Sequence, residues 1–208
     1  MNKPKSIFTL FFLANVTFLV AQDSIKSSAL IFKTDILMPI LWEIEGPEKV
    51  KYFSITGEYG FKKRFSTQLT TAFLNDTYTD NDLPNYFNNR KLNRIDIAPT
   101  FKVFFSKKKY YNGMYLGAFI KNSSINFEAR NRNEETVQQF TSNYFGGGFL
   151  FGYQGYINKK IVYDFLISYG KLKETKQNLI VYNPIDFLYR PIPNGTDIAI
   201  SLNVGYKF

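Results

Sequence analysis

The 208 residues of this chain contain no cysteine and no histidine. Without cysteine there are no disulfides, no thiolate metal sites, no cysteine nucleophile and no N-terminal lipoprotein anchor. Without histidine the commonest general base and the commonest metal ligand are missing. Neither a Ser-His-Asp hydrolase nor a His-ligated zinc site can be built. Lysine- or carboxylate-based catalysis passes this filter, but no motif supports it. No catalytic, cofactor-binding or metal-ligating set is expected. Long apolar runs are also missing. After residue 22 nothing approaches the roughly 18 uninterrupted apolar residues of a spanning helix, so a membrane-crossing mature chain would have to cross as strands.

What the chain has in excess is aromatic: 22 Phe and 15 Tyr, but one Trp, within an aromatic fraction of 18%. Such residues favour strands and collect at membrane interfaces. The formal charge is +9. Residues 1–21 read as a secretory signal: Lys3 and Lys5 open it, Ile7 to Val20 form an apolar core broken only by Thr9, Asn15 and Thr17, and Ala21 precedes polar Gln22, Asp23 and Ser24. Removing Lys3 and Lys5 with it leaves 24 of the 26 basic residues against 17 acidic ones. Export leaves no role for nucleic acid and makes anionic lipid head groups the natural partner of that excess. Residues 22–208 form the mature domain.

From Thr196 to Phe208, Ile198, Ile200, Leu202, Val204, Tyr206 and Phe208 alternate with Asp197, Ala199, Ser201, Asn203, Gly205 and Lys207. This period-two pattern sorts apolar and polar side chains onto opposite faces, over more than the 9–11 residues a tilted membrane strand needs. The pattern recurs in Ile161 to Gly170, Phe145 to Gln154 and Ile95 to Phe105. It is less sharp in Phe53 to Phe61, Phe65 to Leu74 and Met114 to Phe127. A first strand spans Leu30 to Leu41, with Pro39 at its end or at a bulge. The three links at 62–64, 106–112 and 158–160 are short; those at roughly 42–50, 77–93, 128–139 and 173–195 are longer. The sequence thus predicts an all-β, eight-stranded antiparallel up-and-down transmembrane β-barrel with short periplasmic turns and longer external loops.

Several segments carry a family resemblance: Phe32-Lys33-Thr34-Asp35-Ile36-Leu37, Ala98 to Phe105, Gly113 to Phe119 and Gly147 to Gln154. With the terminal Phe208 and its alternating apolar residues, they resemble a family of short, functionally uncharacterised bacterial outer-membrane barrels, over nearly the whole mature chain. The resemblance implies fold and compartment and supplies no activity. In that family the fourth-strand motif usually carries an acidic residue and an Arg. Thr100 and Lys102 stand there in this chain, so no ion pair can form between them.

On this register Lys33, Asp35, Glu58, Asp96, Lys102, Lys121, Asp164 and Lys207 face the lumen. Eight strands enclose an interior that side chains just fill, so four carboxylates and four ammonium groups are expected to form one closed structural network. Gly146, Gly147, Gly148, Gly152 and Gly155 lack a phosphate-loop context and are expected to let the wall bend or to make room for Phe104, Tyr115 and Phe119. Tyr206 and Phe208 carry the assembly signal. Lys62, Lys63, Arg64, Lys107, Lys108, Lys109, Lys159 and Lys160 make the short turns basic, an expected ring of head-group contacts. Aromatic belts are expected near the short turns (Tyr59, Phe61, Phe65, Phe105, Tyr110, Tyr111, Tyr153, Tyr156, Tyr206, Phe208) and near the long loops (Trp42, Phe73, Phe127, Phe140, Tyr169). Asn178 to Asn194 reads equally as an exposed apolar loop that contacts a partner or as a strand standing above the membrane.

The expected function is non-enzymatic: envelope structure or surface interaction through the external loops. A lipid-modifying barrel enzyme, for instance an acyl hydrolase or transferase, and a secreted soluble ligand-binding barrel are the alternatives. Expected partners are outer-membrane lipids and, during biogenesis, the barrel-assembly machinery; a monomer is expected.

Overall fold

The computed structural model describes residues 29–37, 51–61, 64–79, 89–106, 111–130, 136–182 and 195–208. They form β1 (Ala29–Asp35), β2 (Lys51–Phe61), β3 (Phe65–Thr79), β4 (Asn89–Phe104), β5 (Gly113–Arg130), β6 (Thr136–Ile157), β7 (Ile161–Tyr182) and β8 (Gly195–Lys207). Each strand pairs antiparallel with its sequence neighbour, and β1 also pairs with β8, closing an eight-stranded up-and-down barrel. Closure leaves no edge where all eight strands are present, so backbone groups there find partners within the wall.

The alternation read from sequence decides which side chain faces where. Every strand presents a large exposed apolar residue outward, among them Phe32, Phe53, Leu69, Phe101, Leu116, Phe149, Phe165 and Ile200. Phe149 is 74% exposed. The lumen-facing set is buried and mixed. At the short-turn end Ala29, Phe104, Tyr111, Tyr115, Phe119 and Leu150 pack together. Toward the other end Leu92, Ile125, Phe127, Ala129, Phe140, Tyr144 and Leu172 form a second apolar cluster. Charged residues lie among the inward-facing positions of the same strands.

The wall is of unequal height. The β1–β8 ladder runs only from Ile31 to Asp35 and the β1–β2 ladder from Ala29 to Lys33, whereas β6 and β7 pair from Gln138 to Ile157. This corrects the predicted loops. The segments expected at 77–93, 128–139 and 173–195 contract to 80–88, 131–135 and 183–194. The β5–β6 link is now shorter than the β4–β5 link (105–112), so short and long links do not alternate strictly. Apolar alternation stops short of the strand ends. Backbone pairing continues beyond that point through polar residues such as Glu128, Lys173 and Asn178, because a ladder standing in water needs no apolar outer face.

Asn178 to Tyr182 accordingly belong to β7, and 183–194 lie outside the described residues. The first strand ends at Asp35 and not at Leu41, with Ile36 N still donating to Leu202 O at 2.8 Å; Pro39 lies outside the described residues. Asn158 and Lys159, with φ of 53° and 62°, form the tight turn between β6 and β7. The turn is closed by Lys160 N donating to Ile157 O at 3.3 Å, and two successive left-handed residues give it a twist that suits the flanking strands.

Candidate functional site

The inward parity of β1, β2, β4 and β7 brings Lys33, Glu58, Lys102 and Asp164 together inside the barrel, and none of the four side chains reaches solvent. Asp164 Oδ2 accepts from Lys33 Nζ at 2.6 Å and from Lys102 Nζ at 2.8 Å, and its Oδ1 accepts from the Tyr115 hydroxyl at 2.6 Å. Glu58 Oε2 accepts from Lys33 and, at 3.4 Å, from Lys102. Lys33 also donates to Gln154 Oε1 at 3.2 Å and Gln68 Oε1 at 3.4 Å. Lys102 lies 4.3 Å from the centre of the Tyr115 ring, so a cation–π contact adds to its ion pairs. Two cations against two anions leave the cluster neutral. That neutrality, with the hydrogen bonds, offsets a desolvation cost of several kcal/mol per ion.

A second cluster joins Asp96 and Lys121. Lys121 Nζ lies 3.2 Å from Asp96 Oδ2 and 3.0 Å from Asp197 Oδ1, while Arg94 Nε donates to Asp96 Oδ1 at 2.7 Å. These side chains are partly exposed. The single eight-member network is therefore corrected to two separate clusters, because inward residues of different strands sit at different heights. Asp35 stands apart, its Oδ1 accepting from Leu37 N at 3.0 Å. Lys207 also stands apart, its Nζ 5.3 Å from the Tyr156 ring centre. Arg94, Asp197, Tyr115, Gln68 and Gln154 complete the clusters. Alternation had turned Asp197 and Gln154 inward, and their polarity was the available signal. Arg94 fell in a predicted loop and gave none.

Chemically the buried cluster is a neutral set of ion pairs out of contact with solvent. Both lysines are engaged by carboxylates and are not free nucleophiles. Among the described residues no group of three or more carboxylates could hold a metal ion.

Residues 46–187 match the family model described as "Protein of unknown function (DUF3575)". The chain belongs to the DUF3575 family. No curated protein matches it. Among solved structures, it is similar to Ail, the attachment invasion locus protein of Yersinia pestis, in complex with the heparin analogue sucrose octasulfate. That likeness is 13% identical, covers 87% of this chain and 97% of the other, and has a TM-score of 0.46. Neisserial surface protein A gives 12% identity, 87% and 96% coverage and a TM-score of 0.41. The N-terminal β-barrel domain of Pseudomonas aeruginosa OprF gives 14%, 88% and 98%, and 0.34. The barrel assignment for the DUF3575 chain rests on its own closed ladder.

At the short-turn rim of the DUF3575 barrel, Lys159 and Lys160 are exposed, with Lys160 Nζ 5.8 Å from the Tyr206 ring centre. Arg64 is tied to the wall, its Nε donating to Phe104 O at 3.0 Å. Lys62, Lys63, Lys107, Lys108 and Lys109 lie outside the described residues. Tyr206 and Phe208 are exposed and stack edge to face, and Phe208 also meets Phe32 across the β1–β8 seam, with ring centres 5.8 Å apart.

The aromatic belts need correction. Tyr111, Phe127 and Phe140 are buried in the lumen, and Tyr156 packs against the lower cluster. Phe127 shares odd parity with Tyr115 and Lys121, so it had to face the same way. Tyr110 and Trp42 lie outside the described residues. The glycines serve close approach. A side chain at Gly152 would strike the Tyr115 ring and one at Gly60 the Tyr111 ring, while Gly146 and Gly148 abut the β7 backbone. Tyr111 itself has φ 51°, and its carbonyl accepts from Gln154 Nε2 at 3.1 Å.

Proposed function

We propose that this chain is a non-enzymatic bacterial outer-membrane barrel, exported by residues 1–21, that serves envelope structure or surface contact through its external connections. One observation carries the reading: large apolar side chains are exposed around the whole circumference of a barrel whose interior is packed and charge-neutral. A soluble barrel would bury that outer surface, and a contiguous apolar belt of this extent calls for lipid. The short, basic turns then face the periplasm. Lys62, Lys63, Arg64, Lys107, Lys108, Lys109, Lys159 and Lys160 contact anionic head groups of the inner leaflet, and Tyr206 with Phe208 serves recognition by the assembly machinery.

Envelope fractionation followed by gel mobility with and without boiling tests the reading. The chain should need detergent for extraction and should migrate differently when unheated. Release by salt or alkali alone would return it to the soluble class. Incubation with labelled outer-membrane lipid should release no acyl chain; release would make it an enzyme.

A further inference from the structure

The outer face of β7 changes character abruptly. Phe165, Ile167 and Tyr169 are exposed and apolar; the next outward positions, Lys171 and Lys173, are exposed lysines. Strict alternation would then turn Lys176 inward. It does not, because the β6–β7 register shifts between Asn143 and Tyr144: Tyr144 faces Glu174, Asn143 faces Lys176, and Thr175 is the extra residue. Thr175 Oγ1 donates to Asn143 O at 3.0 Å and fixes this bulge. Bulges re-aim side chains, and this one places Lys176 on the same exposed face as Lys171 and Lys173.

Among the described residues no acid offsets the three. Glu174, opposite buried Tyr144, turns to the inner side, and Asp197 on β8 is paired with Lys121. The outward neighbours are Thr141, Asn143 and Phe145 on β6 and Thr196 on β8. Among the described residues none of the three lysine side chains makes an ion pair or hydrogen bond.

We infer that Lys171, Lys173 and Lys176 form a docking strip for the phosphate groups of an outer-leaflet glycolipid. The inference rests on the outer-membrane reading above. Successive outward residues lie about 6–7 Å apart along a strand, or about 5 Å in height at a tilt near 40°. Lys171 therefore sits one head-group layer above Tyr169, and Lys173 and Lys176 rise beyond it. The strip is taller than the roughly 5–7 Å polar layer of a simple phospholipid. It fits a lipid whose phosphates are spread along a sugar head group. Lysine ammonium groups on flexible stems suit such scattered, point-like phosphate contacts.

The test uses the full mature chain refolded in detergent and immobilised. It is titrated with mixed micelles carrying labelled bisphosphorylated lipid A or its dephosphorylated form. The wild type should prefer the phosphorylated lipid by tenfold or more at low salt. Each of K171Q, K173Q and K176Q should lower that preference by about threefold to fivefold, and the triple arginine variant should retain it. Equal binding of the two lipids, or a triple glutamine variant that keeps the preference, overturns the inference alone. A chain that stays dispersed without detergent overturns the membrane reading, and the inference with it.

Discussion

Replacing Asp164 with asparagine removes one negative charge from the buried lumen cluster while keeping nearly the same shape. Lys33 and Lys102, both without solvent contact, would then share Glu58 as their only counter-charge among the described residues. Asp164 now accepts from both ammonium groups and from Tyr115, at 2.6–2.8 Å. Breaking a buried pair by removing one partner costs about 3–5 kcal/mol. The amide oxygen of asparagine still accepts a hydrogen bond, so Asp164→Asn should fall at the lower end, near 3 kcal/mol, or roughly a hundredfold in the folding equilibrium. Adding Lys102→Met restores neutrality and should recover part of that loss, although the buried cation–π contact with Tyr115 goes with the lysine. Urea unfolding in lipid vesicles, scored by the mobility of unheated samples, gives both single variants and the double and hence the coupling energy. A loss below about 1 kcal/mol for Asp164→Asn, with no recovery in the double variant, would mean that water reaches these groups and that the lumen is not sealed.

Three further outcomes are expected. Gly60→Val should destabilise the barrel by about 1–3 kcal/mol through collision with the Tyr111 ring; the same change in a Tyr111→Ala background should cost much less, read by the same unfolding assay. Removing Phe208 deletes its ring contacts with Phe32 and Tyr206 and should slow appearance of the fast-migrating folded form; unchanged kinetics would dismiss its role in assembly. Neutralising Lys159 and Lys160 together as glutamines should weaken partitioning into anionic vesicles by up to about 2 kcal/mol, and the effect should fade as salt is raised.

The strand order and the facing of β8, β7 and β6 were legible because a wall with lipid on one side and packed polar groups on the other forces strict alternation. Ile198, Ile200, Asp197 and Asn203 all sit on the faces that parity assigns. The upper parts of β3 to β7 were not legible for the same reason. Where both faces of a ladder meet water or a partial core, residues such as Arg94 and Lys173 carry no apolar signal, yet their backbones still pair. Nor does a single strand's sequence contain its height relative to its neighbours. That height is set by tilt and stagger around the ring, so Asp96 and Lys121 were grouped with Lys33 although they pair with Arg94 and Asp197. Phe127 shows that parity, not nearness to a strand end, decides which face a side chain takes.

The β1–β8 joint pairs Ile31 to Asp35, with one further backbone hydrogen bond at each end, Ile36 N to Leu202 O and Phe208 N to Leu30 O, and the middle of that short stitch is Lys33. Its ammonium group reaches across to Glu58 on β2, Asp164 on β7 and Gln154 on β6. Until β1 docks, the two carboxylates have only Lys102 to balance them; once it docks, the interior is electrically complete and the ring is shut. Zipping the final seam and neutralising the interior are therefore one event, and an incompletely closed barrel carries its own penalty as an unbalanced negative charge.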